Sequence, residues 1–116
     1  MSPSRWAAVG TSNADDAATA ARAAVDAALA GAPPESAKLV IAFCSERYDL
    51  PTLVTALNDA THGVPLVGCS TAGEIATSGP GNAGLVLFAL GGEDIAIQTA
   101  VARGIGGRLR EAGAEV

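Results

Sequence analysis

The chain has 116 residues, 49% of them hydrophobic but only 3% aromatic, and twelve acids against seven bases give a net charge of −5. That length holds one domain at most, and an acidic chain with a single lysine is a poor partner for nucleic acid or for an anionic membrane. No apolar run reaches the roughly 18 residues of a membrane span, and two cysteines are too few for a disulfide framework.

Residues 1–5 lack the charged-then-apolar layout of a secretion signal, and with only two cysteines a reducing cytoplasm is the expected location. Trp6-Ala7-Ala8-Val9-Gly10 reads as a short strand ending in Thr11-Ser12-Asn13. An alanine-rich helix follows to Ala30, with Ser12 or Asn13 as its N-cap and Asp15 and Asp16 at the positive end of its dipole. Asp15, Thr19, Arg22 and Asp26 form a polar stripe at helical spacing, which turns Val25, Leu29 and several alanines inward. Gly31, Pro33 and Pro34 stop this helix.

Lys38 to Phe43 reads as a second strand, apolar on both faces after its lysine. Asp49 caps a second helix with Pro51 in its first turn and Leu53, Val54 and Leu57 facing in, and Gly63 ends it. Val64 to Gly68 is the third strand. Two strand–helix–strand units in succession argue for parallel strands. Beyond Glu74 come the turn-rich Gly79 to Gly84, a strand from Leu85 to Leu90, and an alternating strand from Ile95 to Val101. These last two are expected to form an antiparallel hairpin, and Gly104 to Val116 opens a further helix. The expected architecture is therefore α/β: a mixed sheet with a parallel β-α-β-α-β core, followed by an antiparallel hairpin and the start of another helix.

The stretch Gly68-Cys69-Ser70-Thr71-Ala72-Gly73-Glu74 carries the functional signal. Small polar side chains and backbone N–H groups at a strand end are what open α/β sheets use to hold small ligands. The G-x-x-x-x-G spacing of a phosphate loop is present, but Glu74 stands where that loop needs lysine and would repel a triphosphate. The stretch also comes close to a nucleophile elbow with Ala72 in place of the second glycine, but hydrolase chemistry would need a histidine base, and the only histidine, His62, falls at the end of the second helix. Gly79, Gly81 and Gly84 match a dinucleotide motif by letter only, since a strand rather than a helix follows them.

Cys44 and Cys69 each end a strand and would emerge on one edge of the sheet. They read as small packing residues, as a redox-sensitive pair, or as one thiol lining a pocket, and no histidine stands near to complete a metal site. Thr11-Ser12, Cys44-Ser45 and Cys69-Ser70-Thr71 would converge on the carboxyl edge. The hydroxyls of Ser12 and Ser45 there serve either a ligand or local caps and turns. For Ser70 and Thr71 the flanking glycines favour the ligand, and Glu74 is placed to pair with a ligand ammonium. No cofactor is implied.

The segment Pro65-Leu66-Val67-Gly68-Cys69-Ser70-Thr71-Ala72-Gly73-Glu74-Ile75 resembles the signature of the FIST family, sensory domains of bacterial and eukaryotic signalling proteins. Val9-Gly10-Thr11-Ser12, the alanine-rich helix and Leu39 to Ser45 with Tyr48-Asp49 extend the resemblance with ordinary α/β patterning. It implies a sensory role in signal transduction, binding a small polar metabolite such as an amino acid or a derivative. The implied partners are a signalling protein such as a kinase or chemoreceptor and a C-terminal FIST portion, because family members continue well past this length. Residues 1–116 are accordingly expected to form a single, incomplete FIST N-terminal-like domain, with Gly68, Cys69, Ser70, Thr71, Ala72, Gly73, Glu74, Ser12 and Ser45 as its ligand contacts. The competing expectation is a thiol-dependent enzyme or redox-responsive protein using Cys69, with Cys44.

Overall fold

The computed structural model describes residues 5–32, 34–71, 74–76, 79–81 and 84–116. The elements in chain order are β1 (Trp6–Ser12), α1 (Ala17–Leu29), a 3-10 turn (Pro34–Ser36), β2 (Ala37–Ser45), α2 (Leu50–Thr61), β3 (Leu66–Thr71), β4 (Glu74–Ala76), β5 (Gly79–Gly81), β6 (Leu85–Gly91) and α3 (Leu109–Glu115). Four strands make one mixed sheet in the order β1-β6-β2-β3, and β4 and β5 form a separate antiparallel ribbon. The α/β architecture with a mixed sheet is as the sequence implies.

Both main helices have local causes. Asp16 caps α1, its carboxylate accepting from the Thr19 N–H at 2.9 Å and from the Thr19 hydroxyl at 2.8 Å. The cap is thus Asp16 rather than Ser12 or Asn13, because Ser12 still belongs to β1. Asp49 caps α2 in the same way through Thr52, with Pro51 in the first turn. His62 ends α2 in the left-handed conformation at φ 58°, and Gly63 follows at φ 84°.

Side chains alternate across the sheet. Val40, Ala42 and Cys44 of β2 and Leu85, Leu87 and Ala89 of β6 are buried in one core cluster with α1 and α2. Helix α1 brings Ala17, Ala20, Ala21, Ala24 and Ala28, all buried, and such a seam lies close to the strands beneath it. Gly10 of β1 completes that fit: a Cβ there would stand 2.8 Å from Ala28 N and 3.0 Å from Ala24 C. Helix α2 packs beside α1 and contributes Leu53 and Leu57. At the opposite end of the sheet Trp6 Nε1 donates to Ser36 Oγ at 3.0 Å.

The strand pairing departs from expectation in one respect. β1, β2 and β3 do run in one direction, but only β2 and β3 are neighbours. β6 enters between β1 and β2 and pairs antiparallel with both. Both hydrogen-bonding edges of β6 are thereby used, so none remains for residues 95–101, and the hairpin expected between 85–90 and 95–101 does not form. The antiparallel ribbon lies earlier in the chain, at β4 and β5. The expected last helix is the short α3.

A second correction concerns β3. The sequence reading ended this strand at Gly68, whereas it begins at Leu66 and continues through Thr71. Gly68, Cys69, Ser70 and Thr71 are ladder residues opposite Ala42, Phe43, Cys44 and Ser45, not a bend beyond the strand. Gly68 permits this: a Cβ there would lie 2.9 Å from Ala42 C and 3.0 Å from Ala42 N, with the Ala42 carbonyl oxygen closer still.

Candidate functional site

The shared direction of β1, β2 and β3 brings Ser12, Ser45 and Thr71 to one end of the sheet. Ser45 pairs directly with Thr71, whereas Ser12 is separated from β2 by the intervening β6. The two serine hydroxyls are engaged locally. Ser12 Oγ accepts from Ala14 N at 3.2 Å, and Ser45 Oγ accepts from Arg47 N at 3.3 Å. Each stabilises the turn that follows its strand, which is the turn-forming role weighed from sequence.

These turns are joined by Arg47, which the sequence did not single out, and by Tyr48, which entered there only as part of the family resemblance. Arg47 donates from Nη1 to Asp15 Oδ1 at 2.9 Å, and from Nη2 to the carbonyls of Asn13 and Ala14 at 2.9 and 3.0 Å. The buried Tyr48 donates its hydroxyl to Ala14 O at 2.6 Å and accepts from Arg47 Nη2 at 3.2 Å. The Tyr48 ring centroid lies 5.0 Å from the guanidinium carbon. The hydrogen bond with Tyr48 holds the Arg47 pKa above its ordinary value, and the Asp15 carboxylate adds to it. The loop after β2 is thus tied to the loop after β1. Their partners are more than thirty positions apart in sequence, so no local signal announces them.

The carboxylates that cap the helices frame the same end of the sheet. Hydrogen bonds from the Thr19 side chain and backbone lower the Asp16 pKa, and those from Thr52 do the same for Asp49.

Beside β3 the sheet opens into a cavity of about 470 Å³. Leu50, Leu53, Val54 and Leu57 of α2 form one wall and Leu66 to Ser70 the other, with Ala42 and Cys44 beneath and Val101 joining from the later chain. Among the described residues, no charged side chain lines it. Gly68, Cys69 and Ser70 are all exposed. Val54, expected to face the core, is instead 42% exposed at this wall, and Leu50 is similarly open.

Of the residues expected to contact a ligand, Gly68, Cys69 and Ser70 therefore border one cavity. Thr71 ends the same strand, and Glu74 opens β4. Ser12 and Ser45 are not part of the lining. Ala72 and Gly73 lie outside the described residues.

The thiols do not form a pair. Cys44 is buried under α2 and directs its Sγ to the Cys69 carbonyl oxygen at 3.9 Å. Cys69 stands opposite Phe43 in the ladder, so its side chain leaves the other face of the sheet. A disulfide between them would require the backbone to move. His62, at the far end of α2, lines a separate groove of about 740 Å³ between the two helices with Arg22, Asp26 and Asp59. Among the described residues no three His, Cys, Asp or Glu side chains are grouped to hold a metal ion.

A family model described as the FIST N domain matches residues 38–116, from the start of β2 through α3, and so includes both walls of the cavity. No curated protein matches the chain.

Proposed function

The chain belongs to the FIST N domain family, a family of sensory domains in signal transduction, and from that premise we propose that it is a receptor for a small ligand held between α2 and β3. The observation that carries this reading is the cavity beside the exposed Gly68, Cys69 and Ser70. Its volume falls in the range of small-molecule pockets, roughly 300–1,000 Å³. Among the described residues the walls are largely aliphatic, and the polar groups within reach include the Ser70 hydroxyl and the backbone of β3.

The walls select the ligand. A strongly polar metabolite would lose its hydration against leucine and valine without regaining partners. A ligand with a branched or aromatic body gains about 1.5–3 kcal/mol for each such group it buries. Among amino acids and their derivatives, those with aliphatic or aromatic side chains are the ones this cavity suits. Glu74 and the backbone of residues 72–73 remain in this proposal as contacts for the ligand's polar end.

Ligand binding would join α2 to β3 and fix their spacing. We place the output in a signalling protein such as a kinase or chemoreceptor, engaged by this domain or by a C-terminal FIST portion, with the whole acting in the cytoplasm. No helix of the described residues is long and apolar enough to cross a membrane.

The test is a thermal-shift series with leucine, valine, phenylalanine and their amides against serine and glutamate. Saturation at about a hundred times the dissociation constant is worth about 2.7 kcal/mol, a shift of several degrees. The apolar members should raise the melting temperature, and Val54→Asp should abolish the rise with little effect on the unliganded protein. No rise with any apolar member at millimolar concentration would remove the proposal.

A further inference from the structure

The two walls of the cavity differ in kind. Helix α2 offers side chains, whereas β3 offers backbone. Val40 N donates to Pro65 O at 2.9 Å, and the Cys69 carbonyl faces Cys44. Residues 65, 67 and 69 therefore turn their main-chain groups toward β2. Because successive residues of a strand address opposite edges, the N–H and C=O groups of Leu66, Gly68 and Ser70 address the other side. No strand pairs with that side among the described residues.

Exposed edges are normally blunted by charge, proline or a bulge. Leu66 to Thr71 contains no charged residue and no proline, and its pairing with β2 is regular throughout. An undefended edge next to an aliphatic cavity fits one occupant well, an extended peptide, which supplies main-chain partners for the edge and side chains for the cavity.

We infer that the ligand class of this site is a short uncharged peptide, bound as an added strand along β3. This inference rests on the cavity being the ligand site. The lining favours a peptide over a free amino acid. Among the described residues that line it none is charged, and an internal peptide segment, which carries neither an α-ammonium nor an α-carboxylate, needs no charged partner there. From Leu66 to Ser70 the edge spans about 13 Å at roughly 3.3 Å per residue, enough for about four peptide residues.

The chain itself places one aliphatic side chain of this kind at the cavity. Residues 95–101 alternate in sequence as a strand would, yet pair with no strand among the described residues, and Val101 reaches the cavity beside Gly68, Cys69 and Ser70. A branched aliphatic side chain carried on a peptide backbone thus already stands in the lining.

The experiment titrates the full chain, by calorimetry, with acetyl-Val-Ser-Val-Ser-amide, with the same peptide N-methylated at the amides that would face β3, and with free valine. The capped peptide should bind, N-methylation should weaken it at least tenfold, and free valine should bind at least tenfold more weakly than the capped peptide. Ser70→Pro, which removes an N–H on the unpaired side only, should cost a similar factor while the melting temperature changes by a few degrees at most. Free valine binding as tightly as the peptide, or an N-methylated peptide binding unimpaired, would overturn the peptide inference and leave the cavity as a small-ligand site. Binding by none of the probes would overturn both.

Discussion

Gly68→Ala separates the structural role of this glycine from its role at the cavity. The new Cβ would stand 2.9 Å from Ala42 C and 3.0 Å from Ala42 N, with the carbonyl oxygen nearer, where an ordinary contact begins at 3.4 Å. β3 must then retreat from β2 by more than half an ångström. That takes a ladder bond such as Val40 N to Pro65 O from 2.9 Å to the limit of hydrogen bonding. The obstacle is backbone, so no rotamer change relieves it, and the cost belongs at the top of the 1–3 kcal/mol seen for overpacking. Restricting the unfolded chain returns about 0.4–1 kcal/mol. A net loss of about 2 kcal/mol lowers the urea midpoint by about 1 M. Gly31→Ala is the matched control, because a Cβ there has nothing within 4 Å, and it should leave the midpoint level or slightly raised. Equal midpoints for the two variants would refute the close packing of β3 on β2.

Asp16 and Asp49 have pKa values lowered by hydrogen bonds from Thr19 and Thr52, so their contribution to stability is complete above the unfolded value of about 3.9 and is lost as pH falls through the lower folded values. Urea midpoints between pH 6 and 2.5 should therefore fall less in the Asp16→Asn, Asp49→Asn double variant than in the parent, and parallel profiles would contradict the capping geometry. Arg47→Met removes the donor to Asp15 and Asn13 and one of two donors to Ala14. Amide hydrogen exchange over residues 13–16 should quicken while that of β2 and β6 stays unchanged, and unaltered exchange at 13–16 would show that the clamp does not hold the loop.

Helix α2 was legible in the sequence because its determinants are local: the Asp49 cap, Pro51 and the glycine at its end. Strand positions were legible from apolar runs, but strand order was not, since periodicity says which residues can be buried and nothing about which strand lies alongside. The insertion of β6 between β1 and β2 is of this kind. The end of β3 was misread for a different reason. Glycine usually marks a strand's weak point, and here it marks the place where two backbones come closest. Residues 68–70 are accessible and beside a cavity, through a strand edge rather than a loop. Leu50, Val54 and Val101, which complete the lining, carry no signal that distinguishes them from core positions.

The cavity itself follows from an imbalance in side-chain size. On one side of the helix layer, alanines meet Gly10, and α1 settles closely onto β1 and β6. On the other side, α2 carries leucines, packs against α1, and stands over a strand whose residues at 68 and 70 are glycine and serine. Leu66 packs against the core from the same face of β3, so position 70 shares that face. Little bulk projects from β3 to meet α2, and the space stays open. Ser70→Leu should fill part of it. A leucine half-buried there contributes about 1 kcal/mol, which for a chain of this length raises the melting temperature by about 4 °C. The same side chain should abolish binding of the capped peptide and of apolar amino acids alike. A native site left open for a ligand has this signature, with stability gained as affinity is lost. A Ser70→Leu protein that melts lower than the parent, or still binds either probe, would mean that the space between α2 and β3 is not the receptor cavity.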